Sequence, residues 1–122
     1  MNHALNQDDI YSSPPNRTLI NRSAGLKINH LLDVGAGTGN NIKAFQELHP
    51  SAITAAITCS EKEAKELEII TNQTFIFDLN NINNATEREK AGLKTLDYDL
   101  IVLSHVLEHT QNPLSVINGI CN

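Results

Sequence analysis

The sequence predicts an α/β fold in which the strands of a parallel sheet alternate with helices. Short apolar runs typical of buried strands recur along the chain, and segments with apolar residues at helical spacing separate them. The run at 52–58 is rich in β-branched residues and apolar on both faces, which suits a strand covered by helices on either side. Such alternation favours right-handed crossovers and a parallel sheet.

Each strand is predicted from a short apolar run. The strands cover residues 30–34, 52–58, 74–78 and 98–104. We expect them to lie in the order 3-2-1-4, with helices on both faces of the sheet. Ligands of such sheets bind outside the carboxyl ends of the strands. The residues predicted at those ends are Asp33, Thr58, Asp78 and Ser104.

The predicted helices fill the intervals between the strands. Residues 40–50 have apolar side chains at helical spacing, and Pro50 ends that helix. Residues 60–63 form a capping box, in which the Ser60 hydroxyl accepts the Glu63 amide and Glu63 reaches back to the Ser60 amide. A helix to about residue 70 follows. Further helices are predicted over residues 85–96, with a break near Gly92, and over residues 112–120.

Composition excludes several classes of function. The net charge of −5 argues against a broad electrostatic grip on nucleic acid, which needs clustered Lys and Arg. No apolar stretch reaches the roughly 20 residues of a membrane helix, and the N-terminus has no secretory signal. Two cysteines, Cys59 and Cys121, fit neither a disulfide framework nor a metal cluster. We therefore expect a cytoplasmic protein that binds neither nucleic acid nor membranes.

The segment DVGAGTG at residues 33–39 is the most informative in the chain. Three alternate glycines after a strand allow a tight turn and a close approach of the backbone to a ligand. The dinucleotide fingerprint would require glycine where Asn40 stands, and no lysine follows Gly39 as a phosphate-binding loop requires. A carboxylate at Asp33 would repel a pyrophosphate but suits a ligand that carries an ammonium group.

These residues resemble the first motif of the class I S-adenosylmethionine-dependent methyltransferases, which has the form D-x-G-x-G-x-G after the first strand. Residues 98–109 also resemble a segment of small-molecule methyltransferases in which a strand precedes an L-E-H turn. The resemblance covers residues 28 to about 120 and implies a Rossmann-like fold. It also implies S-adenosylmethionine as the cofactor and a small molecule as the methyl acceptor.

The resemblance implies a set of cofactor-binding residues along one edge of the sheet. They are Asp33, Gly35, Ala36, Gly37, Gly39, Thr58, Cys59, Asp78, Leu79, Ser104 and His105. Asp78 would accept a hydrogen bond from the adenine amino group, and Leu79 would pack on the ring. Members of the family usually carry an acid at the position of Thr58, where it holds the ribose hydroxyls. This departure predicts weak binding of the cofactor, unless Glu61 substitutes.

The histidines after the fourth strand have two interpretations. His105, Glu108 and His109 match the H-x-x-E-H spacing of a class of zinc peptidases, but that motif requires a helix, and here the segment follows a buried strand. No metal site is therefore predicted. His109 could instead deprotonate the methyl acceptor, since imidazole titrates near neutral pH, or it could be an element of the fold.

The resemblance divides the chain into a polar N-terminal segment, residues 1–27, and a partial methyltransferase domain, residues 28–122. Members of the family usually carry further strands that complete the sheet and build the acceptor pocket. The sequence is therefore interpreted as an enzyme truncated before those strands, with an incomplete sheet of about four strands. The alternative is a non-catalytic methyltransferase-like module for binding or interaction. A second chain could complete the sheet.

Overall fold

The computed structural model describes residues 14–94, 97–103, 114 and 120, and within them helices and strands alternate. The helices are α1 (Arg17–Arg22), α2 (Asn40–Leu48), α3 (Glu61–Ile70) and α4 (Ala85–Ala91). The strands are β1 (His30–Val34), β2 (Ile53–Thr58), β3 (Gln73–Ile76) and β4 (Leu100–Leu103). A 3-10 turn, Leu79–Asn81, lies between β3 and α4.

The four strands form one sheet in the order β3-β2-β1-β4, and every neighbouring pair is parallel. Asp33 in β1 lies opposite Ala56 of β2 and Val102 of β4, and Thr58 in β2 lies opposite Ile76 of β3. The predicted fold class and strand order are therefore confirmed. All four strands point the same way, so their carboxyl ends meet at one edge.

One face of the sheet packs against the first three helices. Leu31 and Val102 join Ile20 of α1 and Phe45 of α2 in one buried cluster. A second cluster on the same face joins Ala56 of β2 to Ile42 of α2 and Leu67 of α3. Because alternate residues of a strand point to the same face, Asp33 shares this face with Leu31. Asp33 therefore places a carboxyl group on the face of the sheet that packs against α1, α2 and α3.

The opposite face carries the larger cluster. The strands contribute Leu32, Val34, Ala55, Ile57 and Phe75 to it. Segments outside the strands cover them through Phe77, Leu79, Ile82, Leu93 and Ile120. With α1, α2 and α3 on one side and this cover on the other, both faces of the sheet are buried, as the two-sided apolar pattern of β2 predicted.

Several element boundaries differ from those predicted. β3 ends at Ile76, so Asp78 lies two residues beyond the strand, where its side chain caps the 3-10 turn by accepting the Asn80 amide at 2.9 Å. Helix α4 ends at Ala91 and is capped by Gly92, the position of the predicted break. Of the last predicted helix, Leu114 and Ile120 are helical, and its other residues lie outside the described ones.

The amino end of the sheet is joined by a side chain. The exposed carboxylate of Asp99, directly before β4, accepts the amides of Asn29 and His30 at 2.8 and 2.9 Å. These hydrogen bonds stabilise the charged form and lower the pKa of Asp99. No helix among the described residues is long and apolar enough to cross a membrane.

We predict that Gly39→Ala destabilises the chain more than Gly92→Ala. Both glycines have positive φ, 87° and 74°, which costs any other residue about 1–2 kcal/mol. A Cβ at Gly39 would also meet the side chains of Ile70 and Leu67, whereas nothing lies within 4 Å of one at Gly92. Denaturant unfolding should show an additional loss of about 1 kcal/mol or more for the Gly39 variant. Equal losses would contradict the close approach of α3 to this glycine.

Candidate functional site

The loop between β1 and α2 is the centre of the candidate site. Gly35, Gly37 and Gly39 have φ values of 70°, 58° and 87°, so each adopts the left-handed conformation that glycine tolerates best. The Gly39 amide donates to the carbonyl of Ala36 at 3.0 Å, which closes a tight turn. The alternate glycines of the sequence thus correspond to three left-handed positions in the structure.

This loop is fixed to the end of the neighbouring strand. The amides of Gly35 and Ala36 both donate to the carbonyl of Ile57, at 2.9 and 3.1 Å. The next carbonyl, that of Thr58, accepts the amide of Phe77 at 2.8 Å. The end of β2 is therefore held between the glycine loop on one side and the segment that leads to Asp78 on the other.

Asp33 is the chemically exceptional group of this edge. Only 1% of its surface is exposed, and its Oδ2 atom has no hydrogen-bond partner among the described residues. Burial disfavours the charged form and raises the pKa of Asp33 to about 7. An isolated buried carboxyl group costs free energy unless a partner compensates it. A ligand with a positively charged group would supply that partner.

The end of β2 carries a buried network of side chains. The Thr58 hydroxyl, 2% exposed, donates to Oε1 of Glu63 at 2.6 Å and accepts the amide of Ser60 at 3.0 Å. Ser60 caps α3 by accepting the Glu63 amide at 3.2 Å, which is half of the predicted capping box. Thr58 is therefore at the expected strand end, but its hydroxyl proton is already given to a carboxylate of this chain.

Asp78 and Leu79 lie next to the end of β2. The Asp78 side chain is exposed and could accept a further hydrogen bond, because a carboxylate has about four acceptor positions. Leu79 is only 6% exposed and packs in the larger core cluster with Phe77 and Ile82. The structure thus gives Leu79 a packing role, whereas Asp78 presents its carboxylate to solvent.

The remaining predicted site residues divide into two groups. Cys59 follows Thr58 at the same edge and is half-buried. Ser104, His105, Glu108 and His109 lie outside the described residues.

Glu61 is exposed on the first turn of α3, while Glu63 is buried beside Thr58. Sequence reasoning treated Glu63 as a helix cap only. No signal in the sequence separates it from an ordinary exposed cap, because its burial depends on how α3 packs on the sheet.

Among the residues that the structure describes, no group of three or more His, Cys, Asp or Glu side chains is arranged to hold a metal ion. The three carboxyl groups described at this edge have different surroundings. Asp33 is buried on β1, Glu63 accepts a hydrogen bond from Thr58, and Asp78 caps a turn.

Comparison with known proteins decides the family. A family profile described as "Methyltransferase domain" matches residues 10–122 of the chain. The chain belongs to this methyltransferase family. No curated protein sequence matched the chain. The glycine loop and its preceding acid, from which the class I S-adenosylmethionine-dependent family was inferred, lie within the matched region, and that inference is confirmed.

A solved structure supports the fold of this methyltransferase domain. The plantazolicin methyltransferase BpumL, determined in complex with SAH, superposes with a TM-score of 0.61 at 17% sequence identity. The match covers 84% of the present chain and 37% of the BpumL chain. The chain therefore spans well under half the length of this structural relative. At this identity the likeness shows the Rossmann-like methyltransferase fold.

We predict that Asp33→Asn removes a pH-dependent loss of stability. Because burial raises the pKa of Asp33 from 3.8 to about 7, the folded chain binds a proton that the unfolded chain releases between these values. The free energy of unfolding should therefore fall as the pH rises from about 4 to 7. The total is of the order of 4 kcal/mol, since a tenfold change in a protonation equilibrium is worth about 1.4 kcal/mol. Urea unfolding at each pH measures the difference between wild type and variant.

Asp99→Asn is the control with the opposite sign. The lowered pKa of Asp99 means that its contribution is present above the ordinary value for aspartate and is lost as the pH falls through the folded value. The wild-type advantage over Asp99→Asn should thus decline in acid, whereas the effect of Asp33→Asn should develop above pH 4. Identical pH profiles for the two variants would refute the assignment to Asp33.

Proposed function

We propose that this chain binds S-adenosylmethionine and belongs to an enzyme that transfers its methyl group to a small-molecule acceptor. Membership of the methyltransferase family supports methyl transfer, and the relative BpumL was solved with SAH, the product left when S-adenosylmethionine gives up its methyl group. The acceptor class rests on the sequence resemblance to small-molecule methyltransferases.

One observation carries this proposal: the uncompensated carboxyl oxygen of Asp33 beside the glycine loop. S-adenosylmethionine has an α-ammonium group, a sulfonium and an adenosine but no phosphate. An ammonium group close to Asp33 would provide the missing partner of a buried acid. Gly35 and Gly37, both left-handed, carry no Cβ where such a ligand would pass.

The residues of the chain would share the work of binding and positioning. Asp33 would hold the ammonium group, the backbone of Gly35–Gly39 would lie along the ligand, and Asp78 would accept the adenine amino group. Ser104 and His105 would lie near the methionine part. Bound S-adenosylmethionine supplies a methyl group activated by sulfonium, so much of the rate comes from holding the acceptor in line.

His109 is proposed as the base of the reaction, on the basis of the resemblance alone. A base is needed only when the acceptor must lose a proton as it attacks, as for a phenol. An imidazole is suited to this because its unperturbed pKa is close to neutral. His109→Ala should then lower kcat with little effect on cofactor affinity, and the acidic limb of the pH–rate profile should disappear.

A second candidate function is a non-catalytic module that binds the cofactor weakly or interacts with a second chain that completes the sheet. The Thr58 network favours it, because the hydroxyl proton at this strand end is given to Glu63 and no acid stands at position 58. Assay with phenol, amine and sugar acceptors, read by liquid chromatography and mass spectrometry, separates the two. A methylated product for any acceptor supports the enzyme and contradicts the non-catalytic module.

We predict that S-adenosylhomocysteine binding is linked to ionisation of Asp33. Below pH 7 the free chain holds a proton on this carboxyl group, and an ammonium partner favours its release. At pH 6, the enthalpy of binding in calorimetry should therefore change with the ionisation enthalpy of the buffer. Asp33→Asn should abolish this dependence and weaken binding by about tenfold or more, the scale of a hydrogen bond to a charged group.

Asp78→Asn is the matched control, because it removes a carboxylate that is exposed. It should retain the buffer dependence, whatever its effect on affinity. Binding of NAD more tightly than S-adenosylhomocysteine by the wild-type chain would overturn the proposed function. Unchanged affinity in Asp33→Asn would overturn the role of this residue.

A further inference from the structure

Helix α1 is an element to which the proposed function gives no role. It has only six residues, and an isolated helix shorter than about 12 residues is marginal in water. Its stability therefore depends on packing against the rest of the chain. Ile20 supplies the apolar part of that packing, since it is 2% exposed and lies in one cluster with Leu31, Phe45 and Val102.

Two hydrogen bonds join α1 to α2, one at each end. The amide of Asn16, the N-cap residue of α1, donates to Oδ1 of Asn41 in the first turn of α2 at 2.7 Å. At the other end, Oγ of Ser23 lies 2.9 Å from Nε2 of His49, and these two are the C-cap residues of α1 and α2. Because the Ser23 hydroxyl donates its proton to the Ile20 carbonyl at 2.6 Å, His49 is the donor in this second bond.

The direction of α1 brings its start to the edge of the sheet that carries the candidate site. The bonded residues are 25 positions apart at one end and 26 at the other, so α1 and α2 lie side by side and run the same way. Helix α2 begins directly after Gly39, the last glycine of the loop, and Asn41 is its second residue. A ligand that lies along this loop would restrict the first turn of α2, and with it the acceptor that holds the start of α1.

We propose that Asn41 is a positioning residue that couples the docking of α1 to occupancy of the glycine loop. This inference rests on the proposed function, since it concerns the same ligand. Such coupling is reciprocal, so the factor by which the ligand stabilises docked α1 equals the factor by which docked α1 raises the affinity for the ligand. The bond from His49 adds to the docking of α1 but lies at the opposite edge of the sheet, where it does not transmit the presence of the ligand.

The test is amide hydrogen exchange with and without saturating S-adenosylhomocysteine. The Ile20 amide donates to the Asn16 carbonyl at 3.0 Å, and it exchanges when α1 opens. Because α1 opens by itself, this amide should exchange faster than that of Leu32 in the central strand β1. The ligand should slow exchange at Ile20 by about threefold or more, the scale of one neutral hydrogen bond.

Variants at the two ends of α1 separate the coupling from the docking. Asn41→Leu removes the acceptor, so exchange at Ile20 should become faster and the ligand should no longer slow it. Asn41→Asp keeps an acceptor and should retain the slowing. His49→Ala should also make exchange faster, but the ligand should slow it by the wild-type factor. Asn21→Leu, a matched change on the exposed side of α1, should leave that factor unchanged.

Calorimetry on the same samples distinguishes failure of the coupling from failure of the proposed function. If S-adenosylhomocysteine binds but does not slow the Ile20 amide, or if this amide exchanges no faster than that of Leu32, the coupling is wrong and the proposed function stands. Equal slowing in wild type and Asn41→Leu would contradict the role of Asn41. A wild-type chain that does not bind S-adenosylhomocysteine would overturn both proposals.

Discussion

The rest of the site depends on the carbonyl group of Ile57, which accepts two amides from the glycine loop. These two hydrogen bonds, from Gly35 and Ala36, turn the chain sharply at the end of β1 and keep the loop against β2. Such a turn requires positive φ at Gly35, which glycine adopts without cost. Asp33, two residues earlier, lies in β1 between β2 and β4 and is almost fully buried. This burial raises the pKa of its carboxyl group.

The architecture was predictable because it depends on local patterns of apolar residues in the sequence. The alternation of apolar runs with helical spacing gave the parallel sheet and its order, and the boundaries of β1 and α3 agree with the sequence to the residue or nearly so. The end of β3 was not predictable in the same way. Phe77 looks like a strand residue because it is apolar and buried, but its amide pairs with Thr58 as the chain leaves the sheet and its side chain enters the core beside the 3-10 turn.

The candidate site was likewise only partly predictable from the sequence. The glycine loop and Asp33 could be found from residue type and spacing, since their chemistry depends on neighbours in the sequence. The burial of Glu63 could not, because a glutamate three residues after a serine at a helix start is equally typical of an exposed cap. Its burial and its bond to Thr58 are properties of how α3 docks on β2. Sequence therefore identified Thr58 at the strand end, and the tertiary structure identified Glu63 as its buried partner.

The Asp99 carboxylate has a consequence for the order in which the chain folds. It joins the start of β4 to Asn29 and His30, which lie 70 and 69 positions earlier in the chain. In contrast, β1, β2 and β3 follow one another with one helix between each pair. Closing a longer loop costs more chain entropy, so pairing of β1 with β4 is expected to come after β1, β2 and β3 have assembled. Contacts that form after the transition state govern how fast the native state opens more than how fast it is reached. The hydrogen bonds of the Asp99 carboxylate would then mainly lower the rate of unfolding.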